Sequence, residues 1–137
     1  PVKQATDELP SIVKKIEDEI VNTELVPLME DFFKSELIYY TSAEFTNRVI
    51  DEKGHFQMVS FEELNTKYNH DRFNPIDGKL VRVADHLSAL MEADISIKHG
   101  ITSDHLSGGR RGMLDMYPEN EKINGIDVYR LFHNICG

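Results

Sequence analysis

One acidic residue, Asp85, lies within an otherwise apolar helical pattern in the second half of the chain. Apolar residues recur around it at the spacing of an amphipathic helix, at Leu80, Val83, Ala84, Leu87, Leu90 and Met91. Asp85 lies one turn beyond Val81 and one turn before Ala89, which predicts that it sits at the edge of the buried stripe. A carboxylate is costly to bury unless a cation neutralises it. Asp85 is therefore either a metal ligand or a solvated acid paired with Arg82 in the preceding turn.

Six histidines offer further metal donors, but no two of them are four residues apart. That spacing would let two imidazoles on one helix share a zinc ion. Asp85 and His86 are neighbours, so on a helix their side chains point about 100° apart and do not easily grip one ion. These residues alone do not predict a complete metal site.

A glycine- and arginine-rich segment, Gly108–Gly112, resembles a phosphate cradle but matches neither the Walker pattern nor the dinucleotide-binding pattern. We interpret it as a flexible loop between helices, whose arginines can still reach an anion. The single cysteine, Cys136, excludes an internal disulfide and a cysteine-based zinc site.

The composition is that of an acidic globular protein, with 24 Asp and Glu residues against 15 Lys and Arg residues and a net charge of -9. Such a surface repels a phosphate backbone, so we expect no binding to a nucleic-acid polymer. A small anionic substrate remains compatible if a divalent cation screens it. No apolar run reaches the roughly 18 residues that cross a bilayer, and we expect no membrane partner and a cytoplasmic location.

Helical periodicity dominates the chain, which predicts one all-α domain over residues 1–137 with few strands. Helices are predicted over residues 6–21, 24–40, 42–50, 60–68, 76–99 and 124–135. A further helix is expected to start at Ser103 and to be interrupted at Gly108. Ser60 and Glu63 have the form of a capping box, and Gly100 is placed to end the helix that holds Asp85.

Two segments resemble one enzyme family. Pro1-Val2-Lys3 is followed by an acidic helix, and a later helix reads Val-Ala-Asp-His-Leu-Ser-Ala-Leu-Met-Glu-Ala over Val83–Ala93. Together they resemble the HD-domain metal-dependent phosphohydrolases, in particular the 5′-deoxynucleotidase-like branch. In that branch, a Pro-Val-Lys stretch follows the metal-binding histidines, and a later Ala-Asp-x-Leu helix supplies the last aspartate ligand. The resemblance implies an HD-domain-like helical bundle that lacks its N-terminal helices.

The resemblance also implies a function. Asp85 would be a ligand of a divalent ion such as Mn²⁺, Co²⁺, Fe²⁺ or Mg²⁺, and Lys3 would contact the substrate. The family's histidine ligands and catalytic acid would lie upstream of Pro1. The full-length protein would then be a nucleoside 5′-monophosphate phosphatase and a homodimer, and this chain alone would be inactive.

Two other interpretations stay open. The chain can be a non-catalytic helical interaction or regulatory module that keeps the scaffold without the chemistry. It can also be an unrelated helical bundle in which Asp85 is simply solvated.

Overall fold

The computed structural model describes the backbone of residues 2–137 and the side chains of residues 8–137. In this part of the chain 64% of residues are helical, in six helices, and the strands form only two small two-stranded sheets. The all-α prediction is confirmed at that level. The chain divides into two compact units, Pro1–Pro75 and Ile76–Gly137. The single-domain prediction stays a prediction, because two compact units can belong to one domain.

The first unit combines helices with a hairpin. Its described elements are α1 (Val2–Ile20), α2 (Asp31–Ser42), β1 (Arg48–Ile50), β2 (Phe56–Met58) and α3 (Phe61–Thr66). A π-helical turn over Val21–Leu25 and a 3-10 turn over Val26–Leu28 connect α1 to α2. The two strands are antiparallel.

The prediction of a helix over residues 42–50 is wrong, because this segment leads into strand β1. The Asp51 side chain accepts hydrogen bonds from the backbone N–H groups of Lys53 and His55, at 2.8 and 2.9 Å. Gly54 adopts a φ of +83°, a conformation that glycine takes without a steric penalty. These interactions reverse the chain and pair β1 with β2, which leaves Val49 fully buried.

The predicted capping box at the start of α3 is confirmed. The Ser60 hydroxyl accepts from the backbone N–H of Glu63 at 3.1 Å, and the Glu63 carboxylate accepts from the backbone N–H of Ser60 at 2.9 Å. These hydrogen bonds, first that of the Ser60 backbone, lower the pKa of Glu63. Helix α3 then buries Leu64 in the small core of the first unit. That core comprises Val49, Leu64, Tyr68 and Phe73.

The second unit packs three helices around one core. Its described elements are α4 (Gly78–Lys98), α5 (Asp104–Leu114), β3 (Lys122–Ile123), β4 (Ile126–Asp127) and α6 (Val128–Cys136). Helix α4 contacts both α5 and α6. The buried core comprises Val83, Leu90, Leu114, Val128, Phe132 and Cys136. The helix predicted over 76–99 is confirmed within two residues, and Gly100 follows it with a φ of +86°.

The interpretation of Gly108–Gly112 as a loop is wrong, because this segment lies inside α5. Ser103 caps the helix, since its hydroxyl accepts from the backbone N–H of Leu106 at 3.4 Å. Packing of α5 against α4 and α6 offsets the low helix propensity of glycine.

Candidate functional site

Asp85, the acid that the sequence singles out, is exposed on α4. It shares the exposed side of the helix with Val81 and Glu92, whereas Val83 and Leu90 are buried against the other helices. The prediction that Asp85 lies at the edge of the buried stripe is therefore wrong. An exposed position is compatible with a solvated carboxylate. It is equally compatible with a metal ligand whose partner ligands come from elsewhere.

The backbone that holds Asp85 is anchored at the start of α4. One oxygen of the Asp77 carboxylate accepts from the backbone N–H groups of Lys79 and Leu80, at 3.0 and 3.2 Å. The other oxygen accepts from the side-chain amide of Asn124 at 2.5 Å. Asn124 lies in the turn between β3 and β4. The cap thus fixes the beginning of the helix and ties it to this hairpin.

His86, the neighbour of Asp85, is tied to the core of the second unit. Its Nδ1 lies 2.7 Å from the Tyr117 hydroxyl. The Tyr117 ring in turn packs edge-on against Phe132, with ring centroids 5.3 Å apart. His86 is therefore a hydrogen-bonded structural histidine, and it fixes the position of the helical turn that presents Asp85.

Burial and two charged side chains of α4, Arg82 and Asp85, influence the pKa of the Tyr117 hydroxyl. Burial raises the pKa of Tyr117, the Arg82 guanidinium opposes that rise, and the Asp85 carboxylate adds to it. Arg82 and Asp85 thus both act electrostatically on the same phenol.

A second acid of α4, Asp94, was missed by the sequence analysis and is buried. Its carboxylate lies 2.6 Å from the Lys98 ammonium and 3.0 Å from Nε of Arg110. Hydrogen bonding to Lys98 is the largest influence on the pKa of Asp94, which is lowered although burial opposes the change. Two cations therefore neutralise Asp94.

Arg110, one of the two arginines that were expected to reach an anion, belongs to the ion-pair cluster around Asp94. Arg110 donates to Asp94 and to the backbone carbonyl of Cys136, so it joins α4, α5 and α6. Cys136 is buried, and burial raises the pKa of its thiol. Arg110 has a structural role, whereas Arg111 is exposed.

In the first unit the sequence analysis missed Arg48, which is only 2% exposed. Its guanidinium carbon lies 4.1 Å from the centroid of the Phe56 ring and 4.8 Å from that of Tyr39. Cavities of about 220 and 210 Å³ border this residue. Its Nε is enclosed and has no hydrogen-bond partner, so a molecule in either cavity would not reach that atom. We interpret Arg48 as a structural cation held by aromatic faces.

Metal donors do not converge within the described residues. No group of three or more histidine, cysteine, aspartate or glutamate side chains there is placed to hold a metal ion. Asp85 is an oxygen ligand of the type that hard divalent ions accept, but any site that it completes needs donors from elsewhere. The side chain of Lys3, the predicted substrate contact, lies outside the described residues.

Comparison with known proteins gives no relative: no family model, curated protein or solved structure matches this chain. Of the helices in the described part of the chain, none has the combined length and apolarity that crossing a bilayer requires.

Proposed function

We propose that Asp85 is one ligand of a divalent metal ion in a phosphohydrolase of HD-domain type, whose other ligands lie outside these 137 residues. The observation that carries the proposal is the position of Asp85 within the family-like segment Val83–Ala93. There the carboxylate is exposed on a helix that is capped at its start and held by packing on the opposite side.

The two aspartates of α4, Asp85 and Asp94, support this assignment by contrast. Asp94 is already neutralised by Lys98 and Arg110, which occupy both of its oxygens. Asp85 is exposed, so its carboxylate is accessible to a cation. A metal ion bound there would polarise a phosphoryl group and lower the pKa of a bound water. A lone exposed carboxylate competes poorly with water, so we expect this chain alone to bind Mn²⁺ only weakly.

The substrate that we propose is a nucleoside 5′-monophosphate. The net charge of -9 would repel such an anion, and the divalent ion would compensate for this repulsion. Lys3 is proposed as a contact to the substrate phosphate. If so, Lys3→Ala should raise KM by about tenfold and change kcat little, because one charged hydrogen bond contributes roughly 1.5 kcal/mol.

The test uses the protein at its full natural length, with Asp85→Asn and the matched control Glu92→Gln. Glu92 is another exposed acid on the same side of α4. Asp85→Asn should weaken Mn²⁺ binding and lower the rate of phosphate release from a nucleoside monophosphate by about 100-fold or more. Glu92→Gln should leave both unchanged. Equal metal binding and equal hydrolysis by the two variants would exclude Asp85 as a ligand.

A second candidate function is a non-catalytic interaction module, and one observation favours it. Of the large apolar side chains that are exposed in the described residues, ten lie between positions 9 and 33 of the first unit. A full-length protein that releases no phosphate at saturating Mn²⁺ would favour this second candidate. We also propose a homodimer, which sedimentation equilibrium of the full-length protein tests directly.

A further inference from the structure

Helix α1 presents an apolar stripe to solvent. We define the α1 stripe as Leu9, Ile12, Val13, Ile16 and Ile20. Each of these side chains is between 43% and 55% exposed. The spacing of three and four residues keeps them on one side of the helix. A monomeric protein rarely leaves such a continuous apolar surface in water unless it binds something.

The opposite side of α1 is the one that packs within the first unit. Lys14 Nζ donates to the backbone carbonyl of Thr41 at 2.7 Å, Asp18 is half-buried, and Val21 is buried just beyond the helix. Lys14 and Asp18 are each two residues from Ile16, which places them about 160° around the helix from it. The helix is therefore anchored by its polar side, and the α1 stripe points away from the unit's own contacts.

Acidic residues border the α1 stripe. Glu8 and Glu19 flank it on one side and Glu17 on the other, and all three are exposed. Lys15 is exposed as well but lies farther from the centre of the stripe. Two copies of α1 that paired through their stripes would bring these glutamates together, and like charges across a helix pair oppose association. An anionic membrane surface would be repelled for the same reason.

The acidic residues that border the α1 stripe therefore favour a binding partner that carries positive charge. Leu9, Val13, Ile16 and Ile20 follow one another at intervals of four, three and four residues, the seam of a pair of packed helices. We propose that the α1 stripe binds an amphipathic helix whose apolar face is bordered by lysine or arginine residues. This inference is independent of the metal site, because it involves only the first unit.

The test measures binding of two synthetic amphipathic helical peptides to the 137-residue chain by fluorescence anisotropy. Both peptides carry the same leucine face, one with lysine borders and the other with glutamate borders. The lysine-bordered peptide should bind at least about tenfold more tightly, and added salt should reduce the difference. Ile16→Glu should weaken its binding by about tenfold or more, because it places a charge in the centre of the apolar contact.

A charge-reversed variant, Glu17→Lys with Glu19→Lys, keeps the test decisive if Ile16→Glu disturbs the helix. It retains the whole α1 stripe and should reverse the preference, so that the glutamate-bordered peptide binds more tightly. Equal binding of the two peptides to the unmodified chain would overturn the proposal. So would an unchanged preference in the charge-reversed variant, or a dimer in sedimentation experiments that the Ile16→Glu substitution dissociates.

Discussion

Helix α4 of the second unit turns Val83 and Leu90 toward α5 and α6, whereas helix α1 of the first unit leaves Ile12 and Ile16 exposed. Both helices are amphipathic, but only α4 finds its apolar partners within its own unit. Amphipathic spacing therefore predicts that a face will be covered, and not which part of the protein covers it. In the second unit, α5 and α6 cover the apolar face of α4. In the first unit, we propose that a partner helix covers the apolar face of α1.

The two units also differ in how they stabilise a buried charged side chain. The buried acid of the second unit, Asp94, is neutralised by Lys98 and Arg110. The buried cation of the first unit, Arg48, faces the rings of Tyr39 and Phe56. The second unit thus has a core that is paired and packed by its own residues.

Matched truncations of apolar side chains test this comparison with the largest expected effect. Phe132→Ala removes a fully buried ring from the core of the second unit and should lower the free energy of unfolding by about 3–5 kcal/mol. Ile16→Ala removes a half-exposed side chain and should change it by less than about 0.5 kcal/mol. Urea denaturation followed by circular dichroism measures both. Equal losses in the two variants would show that the α1 stripe is packed.

Acid should weaken the second unit through Asp94. Because the pKa of Asp94 is lowered by Lys98 and Arg110, folding favours the ionised carboxylate. The resulting stability is present above the ordinary aspartate pKa of about 3.9 and is lost as pH falls through the lowered value. We expect Asp94→Asn to destabilise the protein at pH 7, and the difference from the unmodified chain to shrink below about pH 4.

A matched control for this pH dependence is Asp31→Asn in the first unit. Lys34 also lowers the pKa of Asp31, but the Asp31 side chain is 96% exposed, so water screens the pair. Its pH-dependent loss of stability should be clearly smaller. A stability difference that is the same at pH 3 and pH 7 for Asp94→Asn would contradict the assigned role of the buried pair.

The capping box provides a smaller and more local test in the first unit. Ser60→Ala removes the hydroxyl that accepts from the backbone of Glu63 and should cost about 1 kcal/mol of stability. Ser11→Ala is the control, because the Ser11 hydroxyl is exposed within α1 and donates to the Glu8 carbonyl. That change should stay within about 0.5 kcal/mol. Denaturation of the two variants under the same conditions measures both changes in stability.

Two glycine substitutions in the second unit should change stability by a similarly small amount, with opposite signs. A Cβ at Gly108 would meet no neighbouring atom within 4 Å, so Gly108→Ala should stabilise α5 by about 0.5–1 kcal/mol. Gly100 has a φ of +86°, and Gly100→Ala should destabilise the end of α4 by about 1 kcal/mol. Thermal unfolding should separate the two variants in opposite directions from the unmodified chain.

Local signals in the sequence predicted the elements that local interactions determine. The Ser60–Glu63 capping box and the glycine after α4 were both predicted, since each depends on residues within one turn. The β1–β2 hairpin was missed because residues 42–50 were predicted to form a helix, whereas β1 is stabilised by pairing with Phe56–Met58 across a turn. The continuity of α5 was missed because packing against α4 and α6 overrides the glycines.

The site was predicted less well, for a related reason. Asp94 and Arg110 are paired across 16 positions, and no local pattern indicates such a contact. Asp85 was placed too close to the buried face because it lies one turn from both Val81 and Ala89, although both of these apolar residues are exposed. Its role as a metal ligand comes from resemblance and stays a proposal.

Location of a bound ion is the most direct test of the proposed metal site. Crystals of the full-length protein grown with Mn²⁺ should give an anomalous difference peak within about 2.5 Å of an Asp85 carboxylate oxygen, and crystals of Asp85→Asn should lack it. A well-occupied Mn²⁺ peak coordinated by other residues, with the Asp85 carboxylate facing solvent, would contradict the proposal.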